Sequence, residues 1–261
     1  MRTSLLVIGA GPYGLATAAY ARRAGIEPLV VGQPMSFWRE SMPVGMFLRS
    51  GADWHLDAAR EHTLMAYLEE QGIDPADIDP IPVGLFIEYA EWFQEKAGIG
   101  VLPDLVQDLS KPNGSFEVTL RSGRRVSADT VVAAPGITHF TVVPEWVEQS
   151  LSPERWSHTC TMVRFDELRG RRVLIVGGRQ SAFEWAALLA DGDAEEIHIV
   201  HRHDPPAFAP ADWSFVDELM DLTANLPGWF RNLPAEEREA IASAVAGYER
   251  GESEAVASRS R

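Results

Sequence analysis

The amino-acid sequence predicts an α/β protein made of two units that each carry a parallel β-sheet. An apolar run suited to a buried strand leads directly into a glycine-rich turn and then into a run suited to a helix. This order occurs at Leu5 to Leu15 and again at Arg172 to Asp191. A strand, a glycine turn and a helix in this order are typical of a Rossmann-like unit. Their repetition predicts two such units in one chain.

The first turn has the spacing Gly-x-Gly-x-x-Gly, with glycines at Gly9, Gly11 and Gly14. In such turns the first glycine bends the chain, the second leaves room for a pyrophosphate, and the third lets helix and strand pack closely. Pro12 is suited to the first position of the helix, which we expect to end near Ala24. Free N–H groups and the helix dipole favour a phosphate at that N-terminus. The stretch therefore predicts a dinucleotide site.

The second strand is predicted at Leu29 to Val31, and an acidic residue is expected near its end to bind a ribose. Gln33 stands there instead, and its amide binds a hydroxyl more weakly than a carboxylate does. Residues 35–60 are rich in Met, Trp and Phe and show no clear period. They form either an irregular loop pinned by its aromatic side chains or a wall around a large flat ligand.

The middle of the chain predicts two helices and then strands. The helices are predicted at Thr63 to Gln71 and Ile87 to Ala97, and both are followed by a glycine. The spacing of apolar residues changes to two at Phe116 to Leu120 and Arg125 to Ser127, which predicts a hairpin. A separate buried strand is predicted at Val131 to Ala134.

The second glycine turn begins at Gly177 and places Arg179 where the middle glycine of the first turn stands. A helix from Phe183 to Asp191 and a strand from Ile197 to Val200 follow. Arg202, just after this strand, suits a 2′-phosphate better than a free ribose hydroxyl, or else forms a structural ion pair.

We predict domains at residues 1–150 and 151–261, the second with helices at Trp213 to Thr223 and Ala235 to Tyr248 and a polar tail from Glu249. The net charge of −15 argues against nucleic-acid and anionic-membrane partners. A single cysteine excludes an internal disulfide and a multi-cysteine metal site, so we expect no metal and a cytoplasmic location.

The two turns, with an aromatic segment and a hairpin between them, resemble flavoproteins with two dinucleotide-binding domains, in particular the flavin-containing monooxygenases and N-hydroxylases. The resemblance extends from Met1 to about Glu239 and is most specific in residues 5–15 and then 173–202. It implies FAD in the first domain, NADPH in the second, and oxygenation of a small organic substrate.

The resemblance also implies a site. His55 is the candidate catalytic residue, as a polar contact near the reacting ring, unless it only satisfies the loop backbone. The implied cofactor-binding residues are Gly9, Gly11, Pro12, Gly14, Gln33, Phe37, Trp38, Arg39, Ser50 and Trp54 for FAD, Gly136 at the junction of the cofactors, and Gly177, Gly178, Gln180, Ser181 and Arg202 for NADPH.

Four departures from the family pattern leave alternatives open. Pro135 replaces a threonine, and only His158 remains of the monooxygenase fingerprint. Arg179 replaces a glycine, and its side chain either obstructs the pyrophosphate or, pointing outward, binds it. Family members also continue for about another hundred residues, so we expect an incomplete second domain whose sheet edges an oligomer or partner chain covers. The alternatives to a monooxygenase are a descendant with non-redox activity, such as cyclisation or isomerisation, and a non-catalytic partner subunit.

Overall fold

The computed structural model describes residues 1–112, 114–161, 164–204, 217–226 and 228–248. The chain forms two compact units, Met1–Arg169 and Gly170–Arg261, which divide further along the chain than residue 150. Both contain a strand, a glycine turn and a helix in the predicted order, so the predicted α/β fold with Rossmann-like sheets is confirmed.

The first unit is built on a six-stranded sheet of order β3-β2-β1-β6-β5-β4. The four strands β3, β2, β1 and β6 pair with one another in parallel. The strands β5 and β4 extend the sheet beyond β6 with antiparallel pairing. The apolar run of β1 lies at the centre because it is buried on both faces. The strands are β1 (Arg2–Ile8), β2 (Leu29–Val31), β3 (Val101–Leu102), β4 (Val106–Ser110), β5 (Phe116–Leu120) and β6 (Arg125–Ala133).

The strand β6 differs from the prediction. The sequence predicts one hairpin strand and one separate buried strand, whereas the structure has a single strand of nine residues. Its first half pairs antiparallel with β5 and its second half pairs parallel with β1, so the burial pattern changes along it. The edge strand β4 was not predicted, because it is mostly exposed and lacks a buried period.

Helices cover the sheet of the first unit. The helix α4 begins at Val83, before the predicted start at Ile87, because Pro82 acts as its N-terminal cap rather than as part of a loop. Thr63 caps α3 by accepting a hydrogen bond from the Ala66 N–H at 3.1 Å. The helices are α1 (Pro12–Arg23), α2 (Ser36–Glu40), α3 (Leu64–Gln71), α4 (Val83–Lys96) and α5 (Glu145–Ser150).

The second unit, in its described part, contains two parallel strands that one helix covers. The helix α6 begins three residues before the predicted start, directly after the glycine turn. Of the predicted helix from Trp213, residues 213–216 lie outside the described residues, as does the tail at 249–261. The elements are β7 (Arg172–Val176), α6 (Gln180–Asp191), β8 (Glu196–Val200), α7 (Asp217–Asn225), α8 (Trp229–Asn232) and α9 (Ala235–Tyr248).

The described residues contain neither a membrane-spanning helix nor a metal-binding cluster. No helix among them is long and apolar enough to cross a membrane. Nor do these residues contain a group of three or more His, Cys, Asp or Glu side chains placed to hold a metal ion.

Candidate dinucleotide-binding site

The first glycine turn is closed by backbone atoms that leave no space for a side chain at two positions. Gly9 has φ of +110°, and a Cβ atom there would lie 2.0 Å from the carbonyl oxygen of Ala134. A Cβ atom on Gly14 would lie 2.0 Å from the carbonyl oxygen of Gly9. Both glycines are therefore required by the fold itself, as the motif predicts.

Gly11 differs from its two neighbours in the motif. It is the N-terminal cap of α1, with φ of −81° and ψ of −172°, a conformation that any residue adopts. A Cβ atom built on Gly11 meets no atom within 4 Å. Pro12 follows it at the first position of the helix, and the first turn of α1 contains no acidic residue. The open space in front of Gly11 therefore faces a helix N-terminus suited to an anion.

Two other segments meet the first turn. The N–H of Met35 donates to the carbonyl oxygen of Ala10 at 3.1 Å, and a Cβ atom on Gly32 would lie 2.8 Å from the backbone nitrogen of Ala10. Gln33 lies between these contacts and is exposed. On the other side, Gly136, with φ of +71°, follows the segment that closes on Gly9. The ends of β1, β2 and β6 thus share one edge of the sheet, where dinucleotides bind in this fold.

The residues of α2 that were predicted to contact FAD have structural partners. The Trp38 ring packs on Phe86 with ring centroids 4.8 Å apart, and it is partly buried against the core. Phe37 lies edge-on to Trp38 at 6.1 Å. The Arg39 guanidinium forms an ion pair with Glu91 and donates to the carbonyl oxygen of Pro34. These contacts fix α2 beside the turn, and a role in binding FAD stays a prediction for its three residues.

The irregular segment before α3 carries the remaining predicted residues of this unit. Ser50 is half-buried and Trp54 is 36% exposed. The Nδ1 atom of His55 is buried and hydrogen-bonds to none of the described residues. A buried polar atom left without a partner costs about 1–3 kcal/mol, and a role for His55 beside the flavin stays a prediction. Next to it, Leu56 belongs to the same apolar cluster as Ala10.

A buried carboxylate orders the chain just after His55. Asp57 is only 6% exposed, and its two oxygens accept N–H groups at 2.8–3.0 Å from three residues of the same loop, Ala59, Glu61 and His62. Burial alone would raise the pKa of Asp57, but the three donors and the nearby His62 ring outweigh it, so the pKa lies below its ordinary value. The carboxylate is therefore charged at neutral pH and holds the loop closed.

The second glycine turn has the same plan with more open packing. Gly177 has φ of +145° and its N–H donates to the carbonyl oxygen of Val200 at 2.9 Å. A Cβ atom on Gly178 would lie 2.5 Å from the His201 side chain. Arg179 caps α6 as Gly11 caps α1, and its side chain is exposed.

The three other predicted NADPH residues lie around this turn. Gln180 donates to the Glu184 side chain at 3.2 Å, on the surface of α6. Ser181 and Arg202 are both exposed. The structure therefore groups these residues at the carboxyl ends of β7 and β8, as the sequence predicts, without testing what they bind.

Two residues that shape the site, Gly32 and Asp57, were not predicted from the sequence. Gly32 permits the close approach of β2 to the first turn, and a small residue directly after the strand was the available signal. The role of Asp57 was also missed, although an aspartate a few residues before a helix cap is typical of a side chain that binds nearby backbone.

Three comparisons place these features among known proteins. A family model described as pyridine nucleotide-disulphide oxidoreductase matches residues 3–225. A ferredoxin–NADP reductase of Lactococcus lactis subsp. cremoris is 28% identical over 87% of this chain and 64% of the relative. An FAD-dependent urate hydroxylase of Xanthomonas campestris pv. campestris is 30% identical over 51% of this chain and 29% of the relative.

Among solved structures, a reduced ornithine hydroxylase from Pseudomonas aeruginosa aligns with a TM-score of 0.73. The alignment covers 98% of this chain and 66% of that chain at 17% identity, a likeness of fold. The chain thus spans less than two thirds of the length of each of these three proteins.

Proposed function

The chain belongs to the pyridine nucleotide-disulphide oxidoreductase family of FAD- and NAD(P)-dependent enzymes, and from that membership we propose that it is an NADPH-linked, FAD-dependent monooxygenase of a small organic substrate. FAD, when bound, supplies the redox chemistry by accepting a hydride from NADPH and passing its electrons to O₂. The residues of this chain bind the cofactors, orient them and exclude water.

The observation that carries the proposal is Gly11. The fold requires a glycine at Gly9 and Gly14 but has no need of one at Gly11, where the backbone is ordinary and the space in front is open. A ligand that approaches the backbone closely explains the glycine, and the N–H groups at the start of α1 suit a pyrophosphate. This fit supports FAD in the first unit.

The second unit supports NADPH by its charge. Arg179 at the cap of α6 places a cation where a pyrophosphate lies in a Rossmann-like unit, and its exposure leaves the guanidinium free to turn outward. Arg202 follows β8 at the position that selects between a 2′-phosphate and a free hydroxyl. In this proposal Arg179 assists the binding of NADPH rather than obstructing it.

The proposal is tested by the absorbance spectrum of the purified protein before and after NADPH is added. We expect a yellow protein with bound FAD whose flavin absorbance bleaches on addition of NADPH without oxygen. A colourless protein that takes up no added FAD would refute the proposal. Flavin that NADPH does not reduce would favour the non-redox alternative.

A second candidate is a reductase that passes electrons to another acceptor without oxygenating a substrate. It is favoured by the longer alignment with the ferredoxin–NADP reductase, which covers 87% of this chain against 51% for the urate hydroxylase. Oxygen consumption separates the two candidates. A monooxygenase consumes O₂ in step with oxygenated product, whereas a reductase turns over an artificial electron acceptor without oxygen.

A further inference from the structure

The phenol of Tyr89, on α4, is buried between the two ends of the segment 56–62. The Tyr89 side chain is 0% exposed, and its hydroxyl accepts the N–H of Leu56 at 3.0 Å. The same hydroxyl donates to the carbonyl oxygen of His62 at 2.9 Å. One hydroxyl thus bridges the first and the last residue of the segment. Because both partners are backbone atoms, the link depends on the path of the chain rather than on side-chain conformation.

The segment is also held from inside. The Asp57 carboxylate accepts N–H groups at 2.8–3.0 Å from three later residues of the segment, as described above. The carbonyl oxygen of Asp57 accepts the N–H of Arg60 at 2.9 Å. Glu61 forms an ion pair with Arg23 on α1 at 2.6 Å. The segment is therefore a closed loop, and the Tyr89 hydroxyl joins both of its ends to α4, beside the packing of the His62 ring on Trp92.

We propose that Tyr89 is a positioning residue, which sets the place of Trp54 and His55 at the cofactor site by fixing the backbone of Leu56. The proposal rests on the proposed function, because the site that these two residues would line is the FAD site. Leu56 follows them directly and packs in the cluster that contains Ala10 of the first turn. A hydrogen bond to the Leu56 N–H therefore acts one residue from His55, whose Nδ1 atom is buried and has no partner among the described residues.

The hydroxyl, rather than the ring, makes this link. The ring packs among other aromatic rings, with Phe93 and Tyr67 at centroid distances of 6.3 and 6.0 Å. Phenylalanine keeps that packing and loses only the oxygen. Burial raises the pKa of Tyr89 to about 12, so the hydroxyl keeps its proton and donates to His62 throughout the working pH range.

The test compares Tyr89→Phe with Tyr67→Phe by amide hydrogen exchange of the protein without added cofactor. Tyr67 is the matched control, since its hydroxyl donates to the exposed Glu88 side chain, at 3.3 Å, and not to the backbone of the segment. We expect exchange of peptides covering residues 54–62 to rise about tenfold in Tyr89→Phe, because a buried N–H loses its partner, and to stay within about twofold in Tyr67→Phe. Asp57→Asn removes a contact inside the same segment and should raise exchange in the same peptides. It takes the place of Tyr89→Phe in the comparison if Tyr89→Phe does not fold.

The consequence for the cofactor site is read from the flavin absorption spectrum and from FAD affinity. We expect Tyr89→Phe to shift the flavin bands while FAD affinity changes by less than about threefold, because the pyrophosphate site at Gly11 is untouched. Unchanged exchange at residues 54–62, or raised exchange with an unchanged flavin spectrum, would overturn the proposal. A wild-type protein that binds no FAD would reject the proposed function, and the exchange comparison alone would then decide whether Tyr89 fixes this segment.

Discussion

The two glycine turns share one sequence plan but differ in what closes them. In the first turn, Gly14 packs its Cα against the carbonyl oxygen of Gly9, so backbone touches backbone. In the second turn, Ala182 stands at the matching position and carries the Cβ atom that the first turn excludes. Gly177 at the start of that turn has no atom within 4 Å of its Cβ position. At these two positions the second turn is therefore packed less closely than the first, although Gly178 leaves no space for a Cβ atom beside His201.

The two turns also differ in the residue at their middle position. Gly11 and Arg179 both cap a helix in extended conformation, with ψ of −172° and 178°. The same backbone thus accepts a glycine in one unit and a long cation in the other. The backbone conformation does not choose between them, and under the proposed function the choice reflects what each turn binds.

The units also differ in their cores. In the described part of the chain, the buried apolar side chains of the second unit are Ala182, Trp185 and Leu189, whereas two large clusters fill the first unit. Leu174, Val176 and Val200 of the second sheet are each more than half exposed. Most of the hydrophobic stabilisation of the described residues therefore resides in the first unit.

The largest effect is expected where backbone closes the first turn. Gly14→Ala places a Cβ atom about 2 Å from the Gly9 carbonyl oxygen, and we expect a loss of about 3 kcal/mol or more in the free energy of unfolding. Urea unfolding followed by circular dichroism measures it. The matched change in the second turn, Ala182→Gly, should cost about 1–2 kcal/mol, the difference in helix propensity plus the loss of one buried methyl group. Equal losses in both variants would contradict the difference in packing.

The next effect separates folding from binding at Gly11. Gly11→Ala meets no atom of the protein, so the free energy of unfolding should fall by no more than about 1 kcal/mol, the preference for glycine over alanine at an N-cap. FAD affinity should nevertheless fall roughly a hundredfold, since the methyl group occupies the space that a pyrophosphate needs. Fluorescence titration with FAD measures it. Unchanged affinity would show that the open space at Gly11 is not the phosphate site.

The buried carboxylate of Asp57 gives the first unit a pH dependence. Its pKa is lower in the folded than in the unfolded protein, so its stabilisation is complete above about pH 4 and is lost as the pH falls through the folded value. Asp57→Asn should therefore cost about 2 kcal/mol at pH 7 and less near pH 3. Urea unfolding across this pH range measures the difference. A cost that is the same at both pH values would argue against a charged Asp57.

The strand–turn–helix openings, the parallel pairing of β1 with β2 and the position of each glycine turn at the carboxyl end of its own strand could be predicted because each depends on local sequence. The continuous strand β6 could not, because its halves pair with different neighbours and only the assembled sheet joins them. The roles of Tyr89 and Asp57 depend on contacts across a folded loop, which periodicity does not report. The difference between Gly11 and the other two glycines of the turn could not be predicted either, because it depends on the space around each glycine in the folded protein.

The smallest effect concerns the cation that follows β8. Arg202→Ala should weaken NADPH binding about fivefold to tenfold and leave NADH binding unchanged, because only NADPH carries the 2′-phosphate. Arg179→Gly is the matched control, since a contact with the pyrophosphate weakens both nucleotides by a similar factor. Reduction rates of bound FAD at varied NADPH and NADH concentrations give the four affinities. If Arg202→Ala weakened both nucleotides equally, Arg202 would act on the shared part of the dinucleotide, and the second turn would carry no selection for phosphate.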